Sequence, residues 1–183
     1  MIRAHLHGST IVKLTLVSAC AAMVLLWPTW RVALAGLTYY FPFEGRMTGG
    51  GNCTVGDVKV THGFQLHCNA LGDESNNLEV NWQDGTGSHR FHLDALIAAI
   101  CPPDFRDLEE QPVAGFNTYI GSGTGTYDGS AFAVANWTFK DLGEPGKDHD
   151  TFEITIMVPG IGIVLNIFPA CTLEGGNHQA HPE

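Results

Sequence analysis

Basic residues are scarce in this chain. It has nine Lys and Arg against 19 Asp and Glu. Three of the nine (Arg3, Lys13 and Arg31) fall in the first 35 residues, where no acid occurs. The other 148 of the 183 residues therefore hold six bases against 19 acids, a formal charge of −13. A surface of that sign repels phosphate backbones, which excludes nucleic acid and anionic membranes as partners. Solubility or cation binding is the natural reading.

Motifs that name a reaction are missing too. There is no G-x-S-x-G elbow, no G-x-x-x-x-G-K-[ST] loop and no cysteine pair at zinc-knuckle spacing. The glycines of 121–125 do not form a dinucleotide fingerprint, because strand-like segments flank them on both sides. They read as a strand interrupted by a bend or bulge. Catalysis is thus not written in any local pattern.

No apolar run reaches the roughly 20 residues that span a membrane. The longest N-terminal run, Leu14 to Trp27, has 14 residues. It follows Arg3 and Lys13 and is broken by Pro28. Ala33-Leu34-Ala35 then presents small residues where a signal peptidase reads. The expectation is a signal peptide over 1–35, cleaved before Gly36, followed by a single extracytoplasmic β-rich domain over 36–183. An uncleaved N-terminal anchor is the alternative.

Removing the leader removes Cys20 and leaves Cys53, Cys68, Cys101 and Cys171. Four cysteines in an exported chain imply two disulfides, with three possible connectivities. We favour Cys68–Cys101, closing a loop over the middle segment, with Cys53–Cys171 tying the domain's start to its end.

The remaining sequence favours strands. Val58 to Cys68 alternates apolar and polar residues, placing His62 and Cys68 inward and His67 outward. Further strands are expected around 78–83, 88–93, 116–127, 131–140, 151–158 and 161–168, separated by Gly, Asp and Pro turns. Asp94 to Ile100 reads as one short helix, capped by Asp94 and stopped by Pro102-Pro103. Residues 45–51 read as a glycine-rich entry loop, 104–112 as an acidic loop, and 175–183 as a fraying tail. The fold class expected is mainly β, an antiparallel β-sandwich or related barrel with one short helix and two disulfides.

Two groups of residues are candidates for metal chemistry. Asp141, Glu144, Asp148 and Asp150 crowd four carboxylates into one loop, as Ca²⁺ prefers, although the spacing is not that of an EF-hand. His178 and His181, with His62, offer imidazoles. A solvated acidic turn and a hydrogen-bonded core histidine are the plainer readings. Trp82, Trp137 and Tyr119 are candidate sugar-stacking surfaces, though the two tryptophans fit a core better. Asn52-Cys53-Thr54 and Asn136-Trp137-Thr138 match the glycosylation sequon, and we read both as chance matches.

Several blocks occur in order: Met47-Thr48-Gly49-Gly50-Gly51, 61–68, 76–82, Phe91-His92-Leu93, Gly143-Glu144-Pro145-Gly146 and 176–181. Over roughly 46–181 they resemble an uncharacterised exported bacterial β-rich module found C-terminal to choice-of-anchor domains in cell-surface proteins. The resemblance implies an extracytoplasmic module and carries over no catalytic residue. This chain departs from it in standing alone behind a signal peptide and in carrying Cys53 and Cys171 as extras. The function expected is therefore a secreted or cell-surface binding or structural module without catalytic activity, acting on an unassigned ligand or surface partner. A metal-dependent exported hydrolase using the histidines or the 141–150 loop is one alternative, and a carbohydrate-binding domain is another.

Overall fold

The computed structural model describes residues 44–104 and 114–182. The proposed leader, its cleavage site and nearly all of the 104–112 loop lie outside the described residues.

Among the described residues there are nine strands, of which the first eight form a meander: β1 (Arg46–Val55), β2 (Val58–His67), β3 (Asn77–Asp84), β4 (Gly87–Ile100), β5 (Thr118–Tyr127), β6 (Ala131–Lys140), β7 (Thr151–Val158), β8 (Gly162–Thr172) and β9 (Gly175–His181). They form one antiparallel sheet in the order β8-β7-β6-β5-β4-β3-β2-β1-β9. Against the expected sandwich or related barrel, the single sheet curls into a half-barrel, and no second sheet forms a sandwich among the described residues. The curl brings β8, at one edge, against β1, next to the other edge. Cys53 of β1 and Cys171 of β8 are bonded across that approach, and Cys68–Cys101 joins the end of β2 to the end of β4. Among the described residues no helix is long and apolar enough to cross a membrane.

Alternation places one side chain in two on the concave face. Val60, Phe64 and Leu66 of β2, Leu78, Val80 and Trp82 of β3, Trp137 and Phe139 of β6, and Phe152, Ile154 and Ile156 of β7 are buried there. The curl leaves little room, and β5 supplies it by omitting side chains. A Cβ on Gly121 would lie 2.6 Å from the Trp137 ring, and one on Gly125 would lie 2.7 Å from the Phe91 ring. The glycine repeat in this strand therefore makes space for aromatics. The bulges lie opposite it, on β4, where the register shifts between Leu93 and Ala95 and again between Leu96 and Ala98.

Those bulges correct the expected helix. Residues 94–100 continue β4 and pair with β5 from Thr124 back to Ile120. A two-turn helix is marginal by itself, and pairing along a whole neighbouring strand outweighs its propensity. Asp94, expected as a cap, instead accepts a hydrogen bond from the Thr126 hydroxyl at 2.7 Å. Bulges also explain the misleading pattern, since each extra residue breaks strict alternation.

Two other expectations fail at the sheet's opposite edge. The glycine-rich 45–51 stretch is not a loop but most of β1, and the tail is not frayed but forms β9. The pairings Arg46↔His181 and Gly50↔Asn177 join them. Glycine is required because the neighbours come so close. A Cβ on Gly50 would lie 2.7 Å from the His62 carbonyl oxygen, and one on Gly51 would lie 2.6 Å from that of Gly175.

Candidate functional site

The histidines of β2 and β9 meet on the concave face. His62 Nε2 lies 2.7 Å from His178 Nε2, and both side chains are buried. The His62 ring packs on Phe152, with centroids 4.3 Å apart, and Phe64 meets His178 edge-on at 5.1 Å. His178 Nδ1 is 3.1 Å from the Lys140 carbonyl oxygen, which can only accept. His178 therefore carries its proton on Nδ1, and its Nε2 accepts from the His62 Nε2–H. His62 Nδ1 is left as a lone pair with no partner among the described residues.

This pair is built to stay neutral. Burial lowers the His62 pKa to about 3, reinforced by the neighbouring His178. Burial likewise lowers that of His178 to about 4, against a smaller opposing pull from the Lys140 carbonyl. A proton added to either ring would be desolvated, and His178 would have to give up its acceptor role toward His62.

Asp150 completes the network from the loop between β6 and β7. It is fully buried, and its carboxylate accepts from the His178 amide at 2.6 Å and from the Leu142 amide at 2.9 Å. Desolvation raises its pKa to about 6 despite those two donors. Asp141 accepts from the Ala180 amide at 2.9 Å, and desolvation raises its pKa too. Glu144 accepts from the Asn177 side-chain amide at 2.9 Å, and Asn177 in turn accepts from the Gly146 amide at 2.7 Å. The loop's acids thus take the place of a neighbouring strand along β9, capping amides that an edge strand otherwise leaves open.

Asp141 and Glu144 lie close enough to Asp150 to help raise its pKa, and each of these three candidate Ca²⁺ ligands already accepts a hydrogen bond from the protein. Asp150 and Asp141 face backbone amides, Glu144 faces Asn177, and Asp148 is exposed with a left-handed φ of 69°. His178 and His181 are separated. Three residues apart on a strand they fall on opposite faces, and His181 Nε2 pairs with the Thr48 hydroxyl at 2.8 Å. Among the described residues no three His, Cys, Asp or Glu side chains gather as a metal cluster.

Sequence reasoning found His62, His178 and Asp150 but not that they form one network. It did not find the cluster around His89 at the sheet's other end. There His89 Nδ1 lies 2.9 Å from Asp128, and its Nε2 lies 2.9 Å from the Thr86 hydroxyl. The order hydroxyl–imidazole–carboxylate resembles a hydrolytic triad. The Thr86 hydroxyl, however, donates to Asp84 at 2.6 Å, so its proton already has an acceptor. Hydrogen bonds from that hydroxyl and from the Thr86 amide hold Asp84 below the usual carboxylate range. The arrangement ties the β3–β4 turn to the β5–β6 turn. Proximity of Asp84-Gly85-Thr86 to His89 was the available signal, but Asp128 enters only through the β4–β5 register.

No family model matches the chain, and no curated protein or solved structure does either. The candidate sugar-stacking aromatics are likewise placed by geometry alone. Trp82, Trp137 and Tyr119 are all in the core, with the Tyr119 hydroxyl donating to the His67 carbonyl at 2.9 Å.

Proposed function

We propose that this chain is an exported binding or structural module of the cell surface, released from its leader before Gly36 and without catalytic activity of its own. One observation carries the reading. The polar groups best suited to chemistry, His62, His178 and Asp150, are buried and bonded to one another and to backbone, so they hold β9 in the sheet and meet no substrate. Two disulfides support the oxidising compartment that export implies. The resemblance to modules of bacterial cell-surface proteins points the same way.

The test is fractionation of producing cells. The expected product is found outside the cytoplasm, begins at Gly36 by mass spectrometry, contains no free thiol and is retained by the cell envelope. A cytoplasmic pool with reduced cysteines would overturn the reading.

A further inference from the structure

The convex face carries a hollow of about 290 Å³ over β4 to β7. Strand register explains its composition. Ile100, Ile120, Thr138 and Glu153 are successive cross-strand partners and form one row. Ala98, Ser122, Asn136 and Thr155 form the next. Both rows project away from the core, because they alternate with buried Tyr119, Trp137 and Ile154. Ala98 and Ser122 are small, and the adjacent β4 bulge interrupts the ladder, so the surface sinks there.

The hollow is amphipathic in an unusual way. Ile100 and Ile120 are 50% and 42% exposed and lie side by side as an apolar shelf. Beside them the side chains of Ser122, Asn136, Thr138 and Glu153 have no hydrogen-bond partner among the described residues. Trp137 also lines the hollow. It is 2% exposed, and its indole N–H is buried with no partner. That N–H sits on the concave side, beside the position a Gly121 Cβ would take, so it faces the core and plays no part in the hollow.

The chemistry selects a ligand class. It should present an apolar face to the isoleucines and several groups that both donate and accept to the Asn amide, the hydroxyls and the carboxylate. Glu153 and the chain's excess of acids disfavour an anion. The volume is at the small end for ligand sites.

We propose that this hollow binds a neutral carbohydrate of one or two sugar rings, its C–H face on Ile100 and Ile120 and its hydroxyls on Asn136, Thr138 and Glu153. The proposal rests on the reading of the chain as a binding module and names that module's ligand class. An open, aliphatic site gives weak binding per copy, on the order of millimolar, which repeated copies on a surface would strengthen.

The test is an NMR titration of the oxidised protein with glucose, galactose, mannose and N-acetylglucosamine and their β-linked disaccharides. Saturable shifts of the Asn136 side-chain amide and of the Ser122 and Thr138 backbone amides are expected. Asn136→Ala and Glu153→Gln should each weaken binding about tenfold while leaving thermal unfolding unchanged, since neither side chain has a protein partner. Absence of a saturable shift up to roughly 100 mM sugar, far above the millimolar range, overturns the proposal. So do shifts that Asn136→Ala leaves unaltered, or a preference for cationic glucosamine over glucose. Envelope retention with no sugar response overturns this proposal alone. A reduced cytoplasmic pool overturns the module reading itself, whatever the titration shows.

Discussion

Lowering the pH from about 7.5 to about 5 probes the His62–His178 pair directly. Both histidines have folded pKa values below the ordinary 6.5, at about 3 and about 4. Their neutral forms therefore stabilise the fold. That stabilisation is complete above 6.5 and is lost as the pH falls toward the folded values, because only the unfolded chain takes up protons. At pH 5 each group forfeits about 2 kcal/mol, or about 4 kcal/mol for the two. Asp150 works in the opposite sense. Its folded pKa is raised from 3.8 to about 6, so the folded state takes up its proton first and regains about 1.5 kcal/mol over the same interval. The net expectation is a loss of about 2.5 kcal/mol, which moves a urea midpoint down by about 1–2 M. Urea titrations followed by tryptophan fluorescence at the two pH values measure it. Asp150→Asn removes the compensating proton and should enlarge the drop toward about 4 kcal/mol. A midpoint that stays constant or rises on acidification refutes the placement of two neutral histidines in the core.

Other perturbations test the framework around that pair. Gly146→Ala places a methyl group against the Asp150 carboxylate and the Asn177 side chain, so it should destabilise the protein by about 1–3 kcal/mol and speed hydrogen exchange at the His178 and Ala180 amides. Gly121→Ala drives a methyl group into the Trp137 ring. A loss of similar size is expected, with a shift in tryptophan emission that Gly85→Ala, which meets nothing, does not produce. Replacing Cys53 and Cys171 together with Ser should lower stability by about 4–5 kcal/mol, and replacing Cys68 and Cys101 by about 3–4, because the first pair spans 118 residues and the second 33. Chemical denaturation without reductant ranks the two variants, and the reverse order would contradict the closure of the curl by Cys53–Cys171.

The strands that alternate strictly were legible. Val58–Leu66 and Thr151–Val158 show period two in the sequence and in burial, whereas His67, expected to face outward, is buried at the end of its strand. The segments that misled do so for identifiable reasons. Residues 94–100 lose their period at two bulges, and the bulges depend on β5, which is distant in sequence. Residues 46–51 and 175–181 look like loop and tail because glycine and polar residues dominate them. Their strand character comes from a pairing across more than 120 positions, which no local pattern reports. The candidate site follows the same rule. Burial of His62 could be read from its own strand. Its contact with His178 could not, because that needs β9 to lie beside β1. Asp150 was singled out for its charge, and in the structure its carboxylate accepts from two backbone amides. The choice between sandwich and barrel stayed open in the sequence because strand counting cannot distinguish two packed sheets from one that curls.

The position of β9 also constrains when the fold can be completed. From β1 to β8 each strand pairs with its sequence neighbour, so a chain emerging N-terminus first can close every hairpin as it appears. β1 is the exception. Its outer flank waits for Gly175–His181, and Cys53 waits for Cys171. In the export proposed above, Cys53 and then Cys68 would reach the oxidising side while both native partners are still to come. An early bond between those two would be the wrong one. Correct oxidation therefore depends on delay or on thiol exchange, and the curl can be locked only after the strand carrying His178 has arrived.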